Sequence, residues 1–247
     1  MTVAVRTALI TGAGRNIGRA IALALAEDGF QIVVNGRRDR PACEAVAEEV
    51  RACGVRALVA MGDVGRAEDC AAIAAAALAE FGTVDVLVNN AAIRPAGPFL
   101  EATEEDWRAV MAVDLEAAIR LSRALLPGMI ARRWGRIVNL TGMQAIHGYA
   151  GRAAVSVAKH GLWGLTKALA KEFGAHGITV NAVSPGPIAP DQEEAARAAQ
   201  RSAQLSRIPA GRLGTPAEVA AVVRMLCSEG GGFVNGQMIQ VNGGAET

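Results

Sequence analysis

TGAGRNIGRAIALALA, residues 11–26, is a glycine turn that runs directly into an amphipathic helix, and the apolar run TALI (7–10) leads into it. A turn placed between a strand and a helix aims free backbone N–H groups and the positive end of the helix at an anion. Gly12 permits the tight turn, and Gly18 lets the helix lie close to the strand layer. Asn16 and Ile17 fill the interval, and Asn16 stands where a third glycine is usual. Asparagine tolerates left-handed backbone conformations, so the turn survives the substitution. Its Cβ narrows the approach to a phosphate while its amide offers a donor. A lone glycine pattern is weak evidence, but this one follows the first strand and opens the first helix, the context that gives it meaning.

The same rhythm continues outward over the whole chain. Short continuous apolar runs at 7–10, 31–35, 56–61, 85–90, 136–140, 178–184 and 237–241 read as strands buried on both faces. Helical periodicity fills roughly 16–28, 41–53, 66–81, 103–131, 152–175 and 215–228. Gly29, Gly54 and Gly82 follow three of these helices, where a left-handed cap is wanted. Thr103 with Asp106, and Thr215-Pro216-Ala217-Glu218, carry N-terminal capping signals. Alternating strands and helices predict an α/β fold: one doubly wound domain over 1–247, with a parallel sheet of about seven strands and helices on both faces. Ligands of such sheets sit beyond the carboxyl ends of the strands, where strand order reverses. The exception to the rhythm is 187–211, a polar insertion at that edge, which reads either as a substrate lid or as a surface excursion.

The second strand ends NGRRDR (35–40). A nonphosphorylated dinucleotide is met at this point by an acidic residue that binds the ribose 2′-hydroxyl. Here the position is Gly36, followed by Arg37 and Arg38, with Arg15 in the glycine turn. Guanidinium groups suit a 2′-phosphate through paired, charge-assisted hydrogen bonds, so NADP(H) is favoured over NAD(H).

Composition excludes several classes. A net charge of +1 gives no field for nucleic acid or a membrane surface. The longest apolar run, CAAIAAAALA (70–79), is too short to span a bilayer. Cys43, Cys53, Cys70 and Cys227 are widely spaced, with no metal-ligand spacing among them, and suit a reducing compartment. The expectation is a soluble, cytoplasmic protein without a metal.

The motifs taken in order, TGAGRNIG (11–18), GDV (62–64), NNAA (89–92), GRIVNLTG (135–142), the Lys159 helix, ITVNAVSPGPI (178–188) and RLGTPAEVA…VNGQMIQVNGG (212–244), resemble the short-chain dehydrogenase/reductase family over nearly the full length. The resemblance implies a Rossmann-like fold, hydride transfer with a nicotinamide nucleotide, and a homo-oligomer, dimer or tetramer, built on the 103–131 and 152–175 helices. It implies that Asp63 and Val64 contact the adenine, and that Asn89 and Ala91 of NNAA lie beside the cofactor. Pro185, Gly186 and Ile188 match the segment against the nicotinamide, and Lys159 matches the lysine that holds its ribose. Pro190 stands where the family often has a threonine for the carboxamide, which puts that contact in doubt.

The proton-transfer half of the family pattern departs further. A tyrosine four residues before the lysine is usual, and this chain has Val155; a serine thirteen residues earlier is usual, and this chain has Gly142 after Thr141. Asp114 takes the place of an asparagine, with a carboxylate able to reach toward Lys159. The candidate replacements for the phenol are Tyr149, the only tyrosine, and His147, both in the loop entering the Lys159 helix; Ser156 and His160 are rotated away on that helix. Two functions follow. One is an oxidoreductase acting on a substrate that needs little help from a protein acid, such as an imine or iminium or an activated C=C bond. The other is a silent NADP(H)-binding subunit or sensor, partnered in a hetero-oligomer with an active relative.

Overall fold

The computed structural model describes residues 5–190, 205–206 and 208–246. Its strands are β1 (Thr7–Ile10), β2 (Gln31–Gly36), β3 (Ala57–Met61), β4 (Val86–Asn89), β5 (Gly135–Leu140), β6 (Ile178–Pro185) and β7 (Met238–Val241). They form a seven-stranded sheet in the order β3-β2-β1-β4-β5-β6-β7, and every neighbouring pair is parallel. Strand order therefore reverses at β1, between β2 and β4. The carboxyl ends of β1 and β4 open a crevice there.

The helices are α1 (Asn16–Glu27), α2 (Arg40–Ala52), α3 (Ala67–Phe81), α4 (Glu104–Met111), α5 (Ala117–Arg132), α6 (Ala153–Phe173) and α7 (Pro216–Cys227). Alternate residues of β1 to β6 feed two separate cores. Ala8 and Ile10 of β1 pack with α1, α2 and α7, whereas Leu9 packs with α3 and α5 on the other face. This double burial is why the strands read as unbroken apolar runs. Gly29, Gly54 and Gly82 take φ of +85°, +84° and +75°, as cap positions require. Thr103–Asp106 and Thr215–Glu218 both close as reciprocal capping boxes.

One departure from the expected elements matters for the site. The segment expected as one helix over 103–131 is interrupted by a π-helical turn at Ala112–Glu116, with Asp114 at its centre. A wide turn of this kind rotates one side chain out of the regular helical register. Of the insertion at 187–211, residues 191–204 and 207 lie outside the described residues; Ile188 forms an isolated parallel bridge with Gly214. Among the described residues no helix is long and apolar enough to cross a membrane, and no His/Cys/Asp/Glu group is arranged to hold a metal.

Candidate functional site

The carboxyl ends of β1, β2 and β4 surround a cleft of about 650 Å³. Its floor is the glycine turn. Gly12 has φ of +63°, and a Cβ there would stand 3.1 Å from the Ala91 Cα. At Gly18 a Cβ would lie 2.4 Å from the Gly12 carbonyl oxygen, so only glycine lets α1 approach the turn. Asn16 has φ of +50°, the left-handed conformation expected of it.

Three polar side chains that the sequence reading passed over fix this turn from below. Asn35 accepts the Gly12 N–H (3.3 Å) and donates to the Ala60 carbonyl (2.9 Å). Thr11 accepts the N–H groups of Asn90 and Ala91 at 2.9 and 3.0 Å. The Asn90 amide donates back to the Thr11 and Gly12 carbonyls. Their only signal in sequence is a short polar side chain at or just past the end of a buried strand. There it satisfies backbone groups that the sheet leaves unpaired.

Of the residues predicted for nucleotide contact, Gly12, Arg15, Asn16, Ile17, Gly18, Arg37, Arg38, Asp63, Val64 and Ala91 all line the cleft. Arg37 is drawn to Asp63 at 3.4 Å, and Asp63 also accepts the Gly65 N–H. Arg15 and Arg38 have no ion pair among the described residues, so they carry the free positive charge of this corner. Asp39 lines the cleft as well, where its carboxylate caps α2 by accepting the Ala42 N–H at 3.0 Å. Pro185, Gly186 and Ile188 lie outside the cleft lining. Gly186 donates its N–H to the Val241 carbonyl, and a Cβ on it would press into Asn242. Asn89 is one layer deeper, donating its amide to Asn139 Oδ1 at 2.8 Å, and Asn139 in turn donates to Thr166. Pro190 follows Ala189, whose N–H bonds the Gly214 carbonyl.

Lys159 is also outside the cleft lining and is only 1% exposed. Its ammonium donates to the Leu140 carbonyl at 3.0 Å and pairs with Asp114 Oδ2 at 3.2 Å. The other Asp114 oxygen accepts the Ile93 N–H at 2.8 Å. One carboxylate thus joins the buried lysine to the loop after β4, which lines the cleft through Ile93 and Arg94. Burial holds the Lys159 pKa below its usual value, Asp114 opposes that shift, and the Arg94 charge reinforces it.

Val155, one helical turn before Lys159, is 1% exposed and packs with Val110, Ala158, Ile93, Met111 and Leu115. Gly142 has φ of +77° and ψ of 174°, a region that is essentially glycine's alone. The Thr141 hydroxyl donates to the Val183 carbonyl and faces β6. His147 is exposed and pairs with Glu246 at 2.8 Å. Tyr149 is half-buried in the same neighbourhood; burial raises its pKa and Glu246 adds to the rise. Ser156 is buried with its hydroxyl unbonded, and its carbonyl meets His160 Nδ1 at 2.8 Å. The structure therefore brings Asp114 to Lys159 and groups His147 and Tyr149 around Glu246.

Comparison with known proteins adds a family. The family model described as enoyl-(acyl carrier protein) reductase matches residues 12–246. The 3-oxoacyl-acyl-carrier-protein reductase FabG of Staphylococcus epidermidis is 37% identical, with 97% of this chain and 98% of that protein aligned. Nodulation protein G of Azospirillum brasilense is 39% identical over 97% of each chain. A crystal structure described as a short-chain alcohol dehydrogenase from Sinorhizobium meliloti 1021 superposes with a TM-score of 0.92 at 32% identity, covering 98% of this chain and 97% of that one.

Proposed function

The chain belongs to the short-chain dehydrogenase/reductase family of NAD(P)-dependent oxidoreductases, and we propose that it is an NADP(H)-dependent member whose substrate takes hydride without a proton from residue 155. The observation that carries this is Val155 itself. An isopropyl group, 1% exposed and packed in an apolar cluster, stands one turn from Lys159, where the family resemblance places a phenol.

The cleft suits a dinucleotide because glycines at 12 and 18 let the turn and the start of α1 pack closely at its floor, where a Cβ would strike Ala91 or the Gly12 carbonyl. Gly12, Asn16, Ile17 and Gly18 would hold the pyrophosphate, Arg15 and Arg38 a 2′-phosphate, and Asp63 and Val64 the adenine. Following the resemblance, Ala91, Pro185, Gly186 and Ile188 would face the nicotinamide half, with Lys159 buried behind them on Leu140 and Asp114. When bound, the nicotinamide supplies hydride. This chain's residues then have to bind, orient and keep water away, because Val155 has no proton to give.

General acid catalysis is worth about 10²–10⁴ in rate, so simple ketone reduction is disfavoured by that factor. An iminium carries its proton already. An activated C=C bond spreads the incoming charge into a conjugated group. The matching family model is named for enoyl reduction, which is chemistry of the second kind, and the FabG relatives are named for 3-oxoacyl reduction. Tyr149 is a poor substitute acid on this reading, since its environment raises the phenol pKa and puts a carboxylate beside it. Stopped-flow oxidation of NADPH against ketone, iminium and enone panels is the test. Turnover is expected on iminium or enone substrates and absent or at least a hundredfold slower on ketones.

A second reading, an NADP(H)-binding subunit without turnover, is favoured by the sealing of Lys159 behind Asp114 and Ile93. Silence across all three panels, with NADPH demonstrably bound, selects it. Assembly as a homodimer or homotetramer, or with an active relative, belongs to both readings; Val157 of α6 is an apolar residue 48% exposed on the helix that the resemblance assigns to subunit contact.

A further inference from the structure

Gly36 closes β2 at the corner of the cleft where, on the reading above, the adenosine ribose lies. A Cβ built on it would stand 2.3 Å from Cys43 Sγ, far inside the roughly 3.5–4.0 Å at which nonbonded heavy atoms rest. The same sulfur lies 3.1 Å from a Cβ built on Gly14, in the phosphate turn. Cys43 is therefore wedged between two glycines that come from different elements, and it is 1% exposed. Its backbone is held as well: its N–H bonds the Asp39 carbonyl in the first turn of α2, which Asp39 also caps. With the thiol in that position, a side chain on residue 36 requires Cys43 to shift.

Residue 36 is the position from which a carboxylate would bind a ribose 2′-hydroxyl. Arg15 and Arg38 line the same corner without an ion pair among the described residues, while Arg37 is occupied by Asp63. We infer that Cys43 is a specificity-determining residue: its side chain disfavours any side chain at 36, so no carboxylate stands at that position, and the charges left without an ion pair there are two guanidinium groups suited to a 2′-phosphate. The inference rests on the dinucleotide reading of the cleft. The thiol acts by its volume, since burial, with Asp39 and Glu44 adding to it, raises its pKa and keeps it neutral.

The test uses Gly36→Asp, Cys43→Ala and the double variant of the full chain, each read in two ways. Without nucleotide, Gly36→Asp should lower the thermal midpoint by about 2–12 °C, the range for overpacking in a chain of this size. Adding Cys43→Ala should recover most of that loss. By titration calorimetry, wild type and Cys43→Ala should prefer NADPH to NADH. The double variant should shift the ratio of the two dissociation constants toward NADH by roughly tenfold or more, the worth of one charge-assisted hydrogen bond.

A Gly36→Asp variant as stable as wild type, or a double variant no more stable than Gly36→Asp, overturns the role of the thiol. A stable double variant that keeps the wild-type preference overturns the specificity. If wild type binds neither nucleotide, the dinucleotide reading itself falls, which is a result distinct from either of these because the stability series needs no ligand.

Discussion

Asp114→Asn removes one charge and almost no volume, and it isolates the buried pair on which the reading of Lys159 depends. The two side chains are 0% and 2% exposed, so solvent cannot take over for the missing carboxylate. An asparagine whose oxygen keeps the Ile93 N–H would turn its own NH₂ toward the ammonium, setting donor against donor. Lys159 would be left with the Leu140 carbonyl alone. Breaking a buried pair by removing one partner costs about 3–5 kcal/mol. At about 2–4 °C per kcal/mol for a chain of this size, the midpoint should fall by about 6–20 °C at pH 7.

The pH dependence has a definite sign. The Lys159 pKa lies below its ordinary value in the folded chain, and loss of Asp114 removes the influence that opposes the fall. Between the lowered folded pKa and the ordinary lysine value, the unfolded chain binds more protons than the folded one. Stability there rises with pH. The variant enters this window earlier than wild type, so its deficit should shrink as pH is raised toward about 10, near the ordinary lysine pKa. Scanning calorimetry of both proteins from pH 7 to 10 measures it. A variant within about 1 °C of wild type at pH 7, far less than the loss of a buried partner predicts, would refute the assignment. So would a deficit that stays constant with pH.

Gly18→Ala places a methyl 2.4 Å from the Gly12 carbonyl oxygen; it should cost about 1–3 kcal/mol in thermal melts and abolish measurable NADPH binding by calorimetry. Arg15→Ala and Arg38→Ala should each weaken NADPH about tenfold or more with NADH unchanged, the effect of losing a charged hydrogen bond. Arg37→Ala should change it less, because Arg37 is already paired with Asp63. Val155→Tyr should raise ketone reduction in a steady-state NADPH assay by about tenfold or more, within the span of general acid catalysis. Adding Gly142→Ser should give no further gain and lower the midpoint, because φ of +77° with ψ of 174° penalises any side chain there by about 1–3 kcal/mol.

The fold was legible because its strands are buried on both faces and its helices carry explicit ends. TALI, QIVVN and RIVNL read as strands without any partner in view, and Thr103 with Asp106 or Thr215 with Glu218 marked helix starts that close as capping boxes. The glycine-floored cleft was legible for a related reason: a glycine that only glycine can replace leaves its mark in one residue, as Gly12 and Gly18 do. What sequence does not carry is contact between distant elements. Nothing in AVDLE announces a π-helical turn, nothing in RPACEAV places the Cys43 sulfur against Gly36, and nothing near Tyr149 points to Glu246 almost a hundred residues on. Asp114 stands between these cases. Its identity made a contact with Lys159 conceivable, and only the widened turn aims it there.

Asp114, Gly142 and Val155, which stand where the resemblance leads one to expect proton-transfer groups, fit one another in space, and that fit bears on which functional reading is stronger. A chain that had merely lost its proton-transfer groups would leave an ammonium buried without a counter-charge, at a cost of several kcal/mol. Here a carboxylate stands 3.2 Å from it, and the same carboxylate holds the loop that borders the cleft through the Ile93 N–H. Val155 is enclosed by apolar side chains from that loop, from α4 and α6, and from the π-helical turn. Gly142 has taken up a backbone conformation closed to serine. Each change is matched by its surroundings, as in a site repacked around a neutralised lysine. Such repacking keeps Lys159 fixed beside β5 while removing every hydroxyl from its immediate partners. That arrangement suits a substrate that must be held and kept dry more than one that must be protonated, which is the ground for placing the iminium and conjugated C=C classes ahead of the ketones.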